Sequence, residues 1–142
     1  MLEWINPESD IAVFVQIENE VRFAIASGAL KGGDKLPPVR AVAERLKLNP
    51  NTVAKAYRDL EITGLVYSRR GMGIFVRDGV AAKCKSDCHE DIAQKMHTVI
   101  AEAKAAGLKE SDIRNLTKAC FAAKAAPYAT APRSVLAALK GK

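Results

Sequence analysis

Residues 49–60 read NPNTVAKAYRDL, an Asn-Pro pair followed by a stretch with helical periodicity. Four apolar side chains recur at i, i+3, i+4 and i+7: Val53, Ala56, Tyr57 and Leu60. This spacing predicts a helix with one buried face. Asn49 is a suitable N-cap and Pro50 a suitable first residue, so the Asn-Pro pair is predicted to begin the helix. The opposite face carries small polar and basic side chains, which favours a polar, anionic partner.

Two further amphipathic helices are predicted before this segment, at about residues 10–27 and 38–47. Ser9 or Asp10 is expected to cap the first helix, and Gly28 to end it. Two short β-strands, LVYS and IFV, are predicted after the third helix, and the glycines of the intervening RRGMG allow a tight reversal. Two helices joined by a short turn and followed by a hairpin predict a winged helix-turn-helix.

The rest of the chain predicts a linker at residues 79–88 and a short α-helical region at 89–142, with helices at about 89–106 and 110–125. Two helices cannot enclose a ligand cavity by themselves, so their apolar faces are predicted to form a homodimer. The residues assigned to that interface are Ile92, Met96, Val99, Ile100, Ile113, Leu116 and Phe121. The expected fold class is therefore mainly α with a small β-hairpin. It comprises an N-terminal winged helix-turn-helix at residues 1–78 and a short C-terminal helical dimerisation region.

Charge is distributed unevenly along the 142 residues, whose net charge is +6. Residues 1–30 carry a net −4, whereas residues 31–77 hold ten Lys and Arg against four acids, a net +6. A basic segment of this kind favours nucleic acid. No apolar run approaches membrane-spanning length, and the first residues lack the pattern of a secretory signal. A cytoplasmic protein without a membrane partner is therefore expected.

The second helix of a helix-turn-helix pair lies in the DNA major groove, with its first residues at the base edges. Asn side chains can pair with adenine and Lys with guanine, while wing arginines beside glycines can enter a minor groove. The predicted DNA-binding residues are Arg40, Asn49, Asn51, Thr52, Lys55, Arg58, Arg69, Arg70 and Gly71. They predict a sequence-specific transcription regulator that represses by occupying a pseudo-palindromic operator in double-stranded DNA.

Three stretches, GDKLPPVRAVAERL, NTVAKAYRDLE and RRGMGIFV, resemble the DNA-binding domain of GntR-type bacterial transcription regulators. NPNTV and AYRDLE are similar to the YtrA-like branch, which this chain also resembles in its short helical C-terminus. The resemblance implies DNA contacts at Arg40, at the start of the third helix and around Arg70 and Gly71. Pro50 and Ala54 stand where many members carry guanine-reading arginines, so the resemblance implies a different operator sequence.

Cys84, Cys88 and His89 form a C-x3-C-H cluster in the predicted linker. Thiolates and imidazole suit Zn²⁺ or Cu(I), so one hypothesis is a metal or redox sensor. The alternative is three unrelated residues in a flexible basic stretch. No fourth ligand lies nearby in the sequence, although His97 or Cys120 could approach in the fold. No cofactor is predicted.

The sequence is also compatible with functions other than DNA binding. A winged helix can also bind a protein or structured RNA, and the sequence does not settle whether a small-molecule effector is bound. An enzyme is disfavoured, because no phosphate-binding glycine loop follows a strand and the histidines lack a partner arrangement for nucleophilic catalysis.

Overall fold

The computed structural model describes residues 1–124, 126–131 and 133–138. In these residues the elements are, in chain order, α1 (Val13–Ala26), α2 (Val39–Leu46), α3 (Pro50–Ile62), β1 (Val66–Arg69), β2 (Gly73–Val76), α4 (Ala81–Ala105), α5 (Glu110–Ala122) and α6 (Arg133–Ala137). The predicted mainly α architecture with one hairpin is confirmed. The chain divides into two compact units, residues 1–89 and 90–142, so α4 begins in the first and ends in the second.

The core of the first unit lies where α1 and α2 pack against α3. The predicted buried face of α3 is confirmed, since all four of its apolar residues are at most 2% exposed. Ile17, Val21 and Ile25 of α1 and Val42 of α2 are buried in the same cluster. Full burial of an aliphatic or aromatic side chain contributes about 1.5–3 kcal/mol, so this cluster holds α3 with its other face outward.

The turn between α2 and α3 is short and defined by its end residues. Lys47 ends α2 in the left-handed conformation, with a φ of 55°. Asn49 then caps α3, its Oδ1 accepting a hydrogen bond from the backbone N–H of Asn51 at 2.9 Å. Pro50 is the first helical residue. The prediction that the Asn-Pro pair begins this helix is therefore confirmed.

Tyr57 joins α3 to the loop that precedes α2. Its hydroxyl donates a hydrogen bond to the carbonyl oxygen of Pro37 at 2.8 Å. Burial raises the pKa of Tyr57 to about 12, so the phenol stays protonated and remains a donor at neutral pH.

Replacing Tyr57 with Phe is expected to lower the free energy of unfolding by about 1–2 kcal/mol, because the Pro37 carbonyl is left without its partner. Urea denaturation followed by circular dichroism would measure this. Tyr67→Phe on β1 is the matched control and should change the free energy by less than about 0.5 kcal/mol. Equal losses in the two variants would contradict the role assigned to the Tyr57 hydroxyl.

Backbone hydrogen bonds join the hairpin to the segment before α2. Its antiparallel strands pair Val66 with Val76 and Arg69 with Gly73 at the two ends. Beyond the hairpin, the backbone N–H of Leu36 donates to Ile74 O, and Val76 N–H donates to Asp34 O, both at 2.8 Å. These bonds add residues 34–36 along β2 and so anchor the base of the wing.

The prediction that Ser9 or Asp10 caps α1 is wrong. Ser9 Oγ accepts a hydrogen bond from the N–H of Ile11 within a local turn, and α1 has no side-chain cap. The buried side chain of Gln16 binds the segment before α1 instead. Its amide nitrogen donates hydrogen bonds to the carbonyl oxygens of Asn6 and Ile11. Its Oε1 accepts from Asn6 N–H at 2.7 Å, so the N-terminal segment is fixed across α1.

The structure corrects the expected linker at residues 79–88, because α4 is helical from Ala81 onward. Cys84 and Cys88, spaced i and i+4, are both buried, and the Cys84 thiol donates to the Arg22 carbonyl oxygen at 3.3 Å. Two small apolar thiols therefore place the first turns of α4 against α1. Among the described helices, none combines the length and apolar character that crossing a bilayer requires.

The second unit presents an apolar groove between the C-terminal part of α4 and α5. The groove has a volume of about 620 Å³. Six of the seven predicted dimer residues line it, namely Met96, Val99, Ile100, Ile113, Leu116 and Phe121. The seventh, Ile92, is exposed on α4. α5 ends at Ala122, and residues 125, 132 and 139–142 of the predicted C-terminal region lie outside the described residues.

Candidate nucleic-acid interface

The start of α3 presents polar side chains to solvent. Asn51 and Arg58 are exposed, and Thr52 is half-buried. Asn49 is also exposed, but its oxygen serves as the helix cap, which leaves its amide nitrogen as the group available to a partner. Arg40 is exposed on α2 and lines a shallow depression together with Pro50. The helix start and Arg40 thus share one surface.

Lys55 is already engaged within the protein. Its Nζ lies 3.0 Å from Asp59 Oδ2, one turn along α3. The same Nζ lies 4.5 Å from the centre of the Phe14 ring on α1, a cation–π contact. Lys55 must therefore leave two partners before it can contact a base. The i,i+4 spacing could have indicated the pair with Asp59, but no sequence pattern indicated the contact with Phe14.

Beneath Lys55, a pair of carboxyl groups joins α1 to α3. Burial raises the pKa of Glu18 to about 7, with a further contribution from its hydrogen bond to Asp59. The pKa of Asp59 is lowered, first by the hydrogen bond from Lys55 and then by that of Glu18. Below about pH 7 Glu18 is therefore mainly protonated and can donate a hydrogen bond to the ionised Asp59.

The Glu18 pKa predicts a pH-dependent stability. Because the folded-state pKa lies above the reference value of 4.5, its stabilising contribution is present below pH 4.5 and is lost as the pH rises through about 7. One pKa unit corresponds to about 1.4 kcal/mol, and solvent screening reduces the effect at this partly buried site.

Glu18→Gln is expected to raise the free energy of unfolding at pH 8 by about 1–2 kcal/mol relative to the wild type, with no gain at pH 5. The measurement is urea denaturation at both pH values. Glu8→Gln, at an exposed position, is the control and should behave as the wild type does. An equal gain at both pH values would show that Glu18 is not protonated in the folded state at neutral pH.

The two arginines of the wing, Arg69 and Arg70, differ in their contacts. Arg69 lies over the Phe75 ring, with Cζ 5.9 Å from the ring centre. Arg70 and Gly71 are exposed at the tip of the hairpin, and Gly71 adopts a φ of 74°, which glycine accepts at no steric cost. Arg70 is therefore the wing cation freest to reach a phosphate or a groove.

Two basic residues near the wing were missed by sequence reasoning. Lys35 lies across Gly73, where an added Cβ would be 2.6 Å from Lys35 Cε. Arg77 follows β2, with its Cζ 5.5 Å from the centre of the Tyr67 ring. Gly73, the second glycine of RRGMG, could have indicated a neighbour such as Lys35. A glycine within a strand often marks a place where another segment comes close, as well as a turn.

The predicted metal candidates are not brought to one point. Cys84 and Cys88 face the core, whereas His89 is exposed. Burial raises the pKa of the Cys84 thiol to about 11, and the neighbouring Cys88 contributes. Within the described ranges, no three His, Cys, Asp or Glu side chains are grouped as a metal site requires. The described residues therefore contain no set of ligands for a zinc sensor.

The combined surface offers hydrogen-bonding side chains and a helix N-terminus on α3, with cations on α2 and the wing. Backbone N–H groups at a helix start favour phosphate, and exposed Asn and Thr can read base edges. Such a surface suits a duplex, whose backbone and base edges lie close together.

Comparisons with known proteins agree with this geometry. Residues 14–76 match the family model of bacterial regulatory proteins, gntR family. The HTH-type transcriptional repressor YtrA of Bacillus subtilis is 32% identical over 105 residues, covering 74% of this chain and 81% of the relative. The crystal structure of a transcriptional regulator from Oenococcus oeni is 28% identical, with a TM-score of 0.60 over 84% of this chain and 99% of that one.

A second solved structure, YtrA from Sulfolobus acidocaldarius, a GntR-family transcription factor, is 31% identical with a TM-score of 0.50. It matches over 71% of this chain and 95% of its own length. These relatives are transcription regulators and not enzymes. The winged helix-turn-helix, its polar helix face and these matches together place the chain in the GntR family of transcription regulators, among its YtrA-like members.

Proposed function

We propose that this regulator binds a pseudo-palindromic operator as a homodimer and represses transcription by occupying it. The observation that carries the proposal is the exposed polar start of α3, held outward by its buried opposite face. In this proposal Asn51 and Thr52 read base edges in the major groove, while Arg40, Arg58 and Arg70 bind the backbone or a neighbouring groove. Such a protein acts where bacterial DNA lies, in the cytoplasm.

The homodimer is supported by the composition of the second unit. Among its described residues only Val135 is buried, and α5 contributes none. Met96, Val99 and Phe121 are between 56% and 87% exposed along the groove. An apolar surface of this extent marks an interaction site, and the same helices from a second subunit would cover it.

The groove also has the volume of a small-molecule site, so an apolar effector is the alternative occupant. The two occupants differ in their dependence on protein concentration. A dimer would bury the groove at micromolar protein without any additive, whereas an effector site would leave the purified protein monomeric.

Selection of bound duplexes from a random pool tests the proposal as a whole. The expected result is enrichment of a two-fold symmetric site, with half-sites about one helical turn apart. Affinity for the enriched site should exceed that for random duplex by about a thousandfold or more at the same salt concentration. A pool that shows no enrichment, or a preference for RNA or for a protein partner, would overturn the proposal.

A further inference from the structure

Lys55 lies on the face of α3 that reads DNA in the proposed function, but its ammonium is bound by neighbours within the protein. Lys55 follows Asn51 by four positions and Thr52 by three, so the three side chains share one helix face. Its Nζ lies 3.0 Å from Asp59 Oδ2, one turn further along α3. The ion pair therefore draws the ammonium toward the C-terminal half of α3 and away from Asn51.

A residue of α1 completes the contacts of Lys55. The Nζ atom lies 4.5 Å from the centre of the Phe14 ring, a distance at which the face of the ring attracts a cation. Phe14 is half-buried and packs against the core, whereas the Lys55 side chain is 48% exposed. A ring fixed on α1 and a carboxylate on α3 thus hold a cation that solvent can still reach.

We propose that Phe14 and Asp59 form a latch that withholds Lys55 from DNA and so sets how much this lysine contributes to operator affinity. The inference rests on the proposed binding of an operator by α3. Phe14 and Asp59 are positioning residues, because each acts on DNA binding through the Lys55 ammonium. Moving Lys55 onto a base or phosphate exchanges the ion pair and the cation–π contact for a contact with DNA.

The size of the effect follows from the strengths of the two contacts. Exposed ion pairs spaced i and i+4 and exposed cation–π contacts are each weak. Their combined loss lowers the affinity that Lys55 contributes by about five- to tenfold. The latch therefore adjusts operator affinity and does not abolish binding.

Phe14→Leu is the sharper test, because it removes the ring and keeps both an apolar side chain and the net charge. Affinity for the selected operator would be measured at one salt concentration, with and without Lys55→Met. We expect Phe14→Leu to tighten binding about two- to fivefold, and to change nothing in the Lys55→Met background. Phe23→Leu is the matched control, since Phe23 lies on the opposite face of α1 and also packs against the core. It should leave affinity unchanged in both backgrounds.

Asp59→Asn removes the second contact, but it also removes a negative charge that repels DNA. Only its dependence on Lys55 is therefore informative. Combined with Phe14→Leu, it should tighten operator binding about five- to tenfold more when Lys55 is present than in the Lys55→Met background. Circular dichroism would establish that each variant folds. Should Phe14→Leu fail to fold, the Asp59→Asn cycle alone should still show a dependence on Lys55 of about twofold.

NMR spectroscopy observes the latch without DNA. In the free protein the ring current of Phe14 should shift the ε-methylene protons of Lys55 upfield, and the shift should disappear in Phe14→Leu and on operator binding. A wild type that binds the operator while Phe14→Leu acts equally in both backgrounds, or while the shift persists in the complex, would overturn the latch alone. A protein that selects no duplex would overturn the proposed function and the latch with it.

Discussion

Val99→Glu is expected to convert the protein from a dimer to a monomer and to weaken operator binding about a hundred- to ten-thousandfold. Val99 lies in the apolar groove and is 60% exposed, so its replacement puts a carboxylate at the centre of the proposed interface. Burying an unpaired charge there costs more than the interface gains. A monomer binds only one half-site, and the affinity gained by linking two sites, about 10²- to 10⁴-fold, disappears.

Analytical ultracentrifugation at micromolar concentration, together with operator titrations of the same samples, would measure both effects. Ala101→Glu introduces the same charge on α4 at an exposed position outside the groove and should leave mass and affinity unchanged. A wild-type protein that sediments as a monomer, or a Val99→Glu variant that remains dimeric, would refute the homodimer proposal.

Asn51→Ala is expected to reduce affinity for the selected operator about ten- to a hundredfold while leaving binding to random duplex nearly unchanged. A bidentate contact between Asn and adenine contributes about 1–3 kcal/mol of base discrimination. Asn51 takes part in the helix cap through its backbone N–H, and the capping oxygen comes from Asn49. The substitution should therefore remove base reading without destabilising α3.

Arg70→Ala provides the contrast on the wing. Loss of a phosphate contact should weaken specific and random duplexes alike and reduce the salt dependence of binding by about one unit. Arg114→Ala, an exposed arginine paired with Glu110 on α5, controls for the loss of one positive charge. Uniform weakening by Asn51→Ala, or no effect of either variant, would show that α3 and the wing dock differently from our proposal.

Lys55 illustrates how far sequence reasoning reached at the interface. Its position on the free face of α3 follows from the 3.6-residue period, and the structure agrees that it is exposed. Its ion pair with Asp59 is a local i,i+4 contact. Phe14 and Glu18, by contrast, lie about forty positions away, and no local pattern encodes their approach to Lys55. Lys55 is therefore expected to contribute less to base reading than Asn51.

At the start of α4, by contrast, the prediction was wrong although the information was local. The i and i+4 spacing of Cys84 and Cys88 is helical, yet cysteine between charged residues was interpreted as metal chemistry in a flexible segment. Free cysteine is among the most frequently buried residue types and packs as a small apolar group. Treating both cysteines as apolar would have extended the predicted helix to near Ala81.

The sequence by itself determined the starts of α2, α3 and α5, the buried face of α3, the hairpin and the basic wing. These features depend on backbone dihedral preferences, capping groups and side-chain periods that operate within a few residues. Only the tertiary structure decided that residues 1–12 pack across α1, that Lys35 lies against Gly73 and that Lys55 lies over the Phe14 ring. Those outcomes depend on which distant surfaces meet, because packing and burial act between side chains that are neighbours in space and not in sequence.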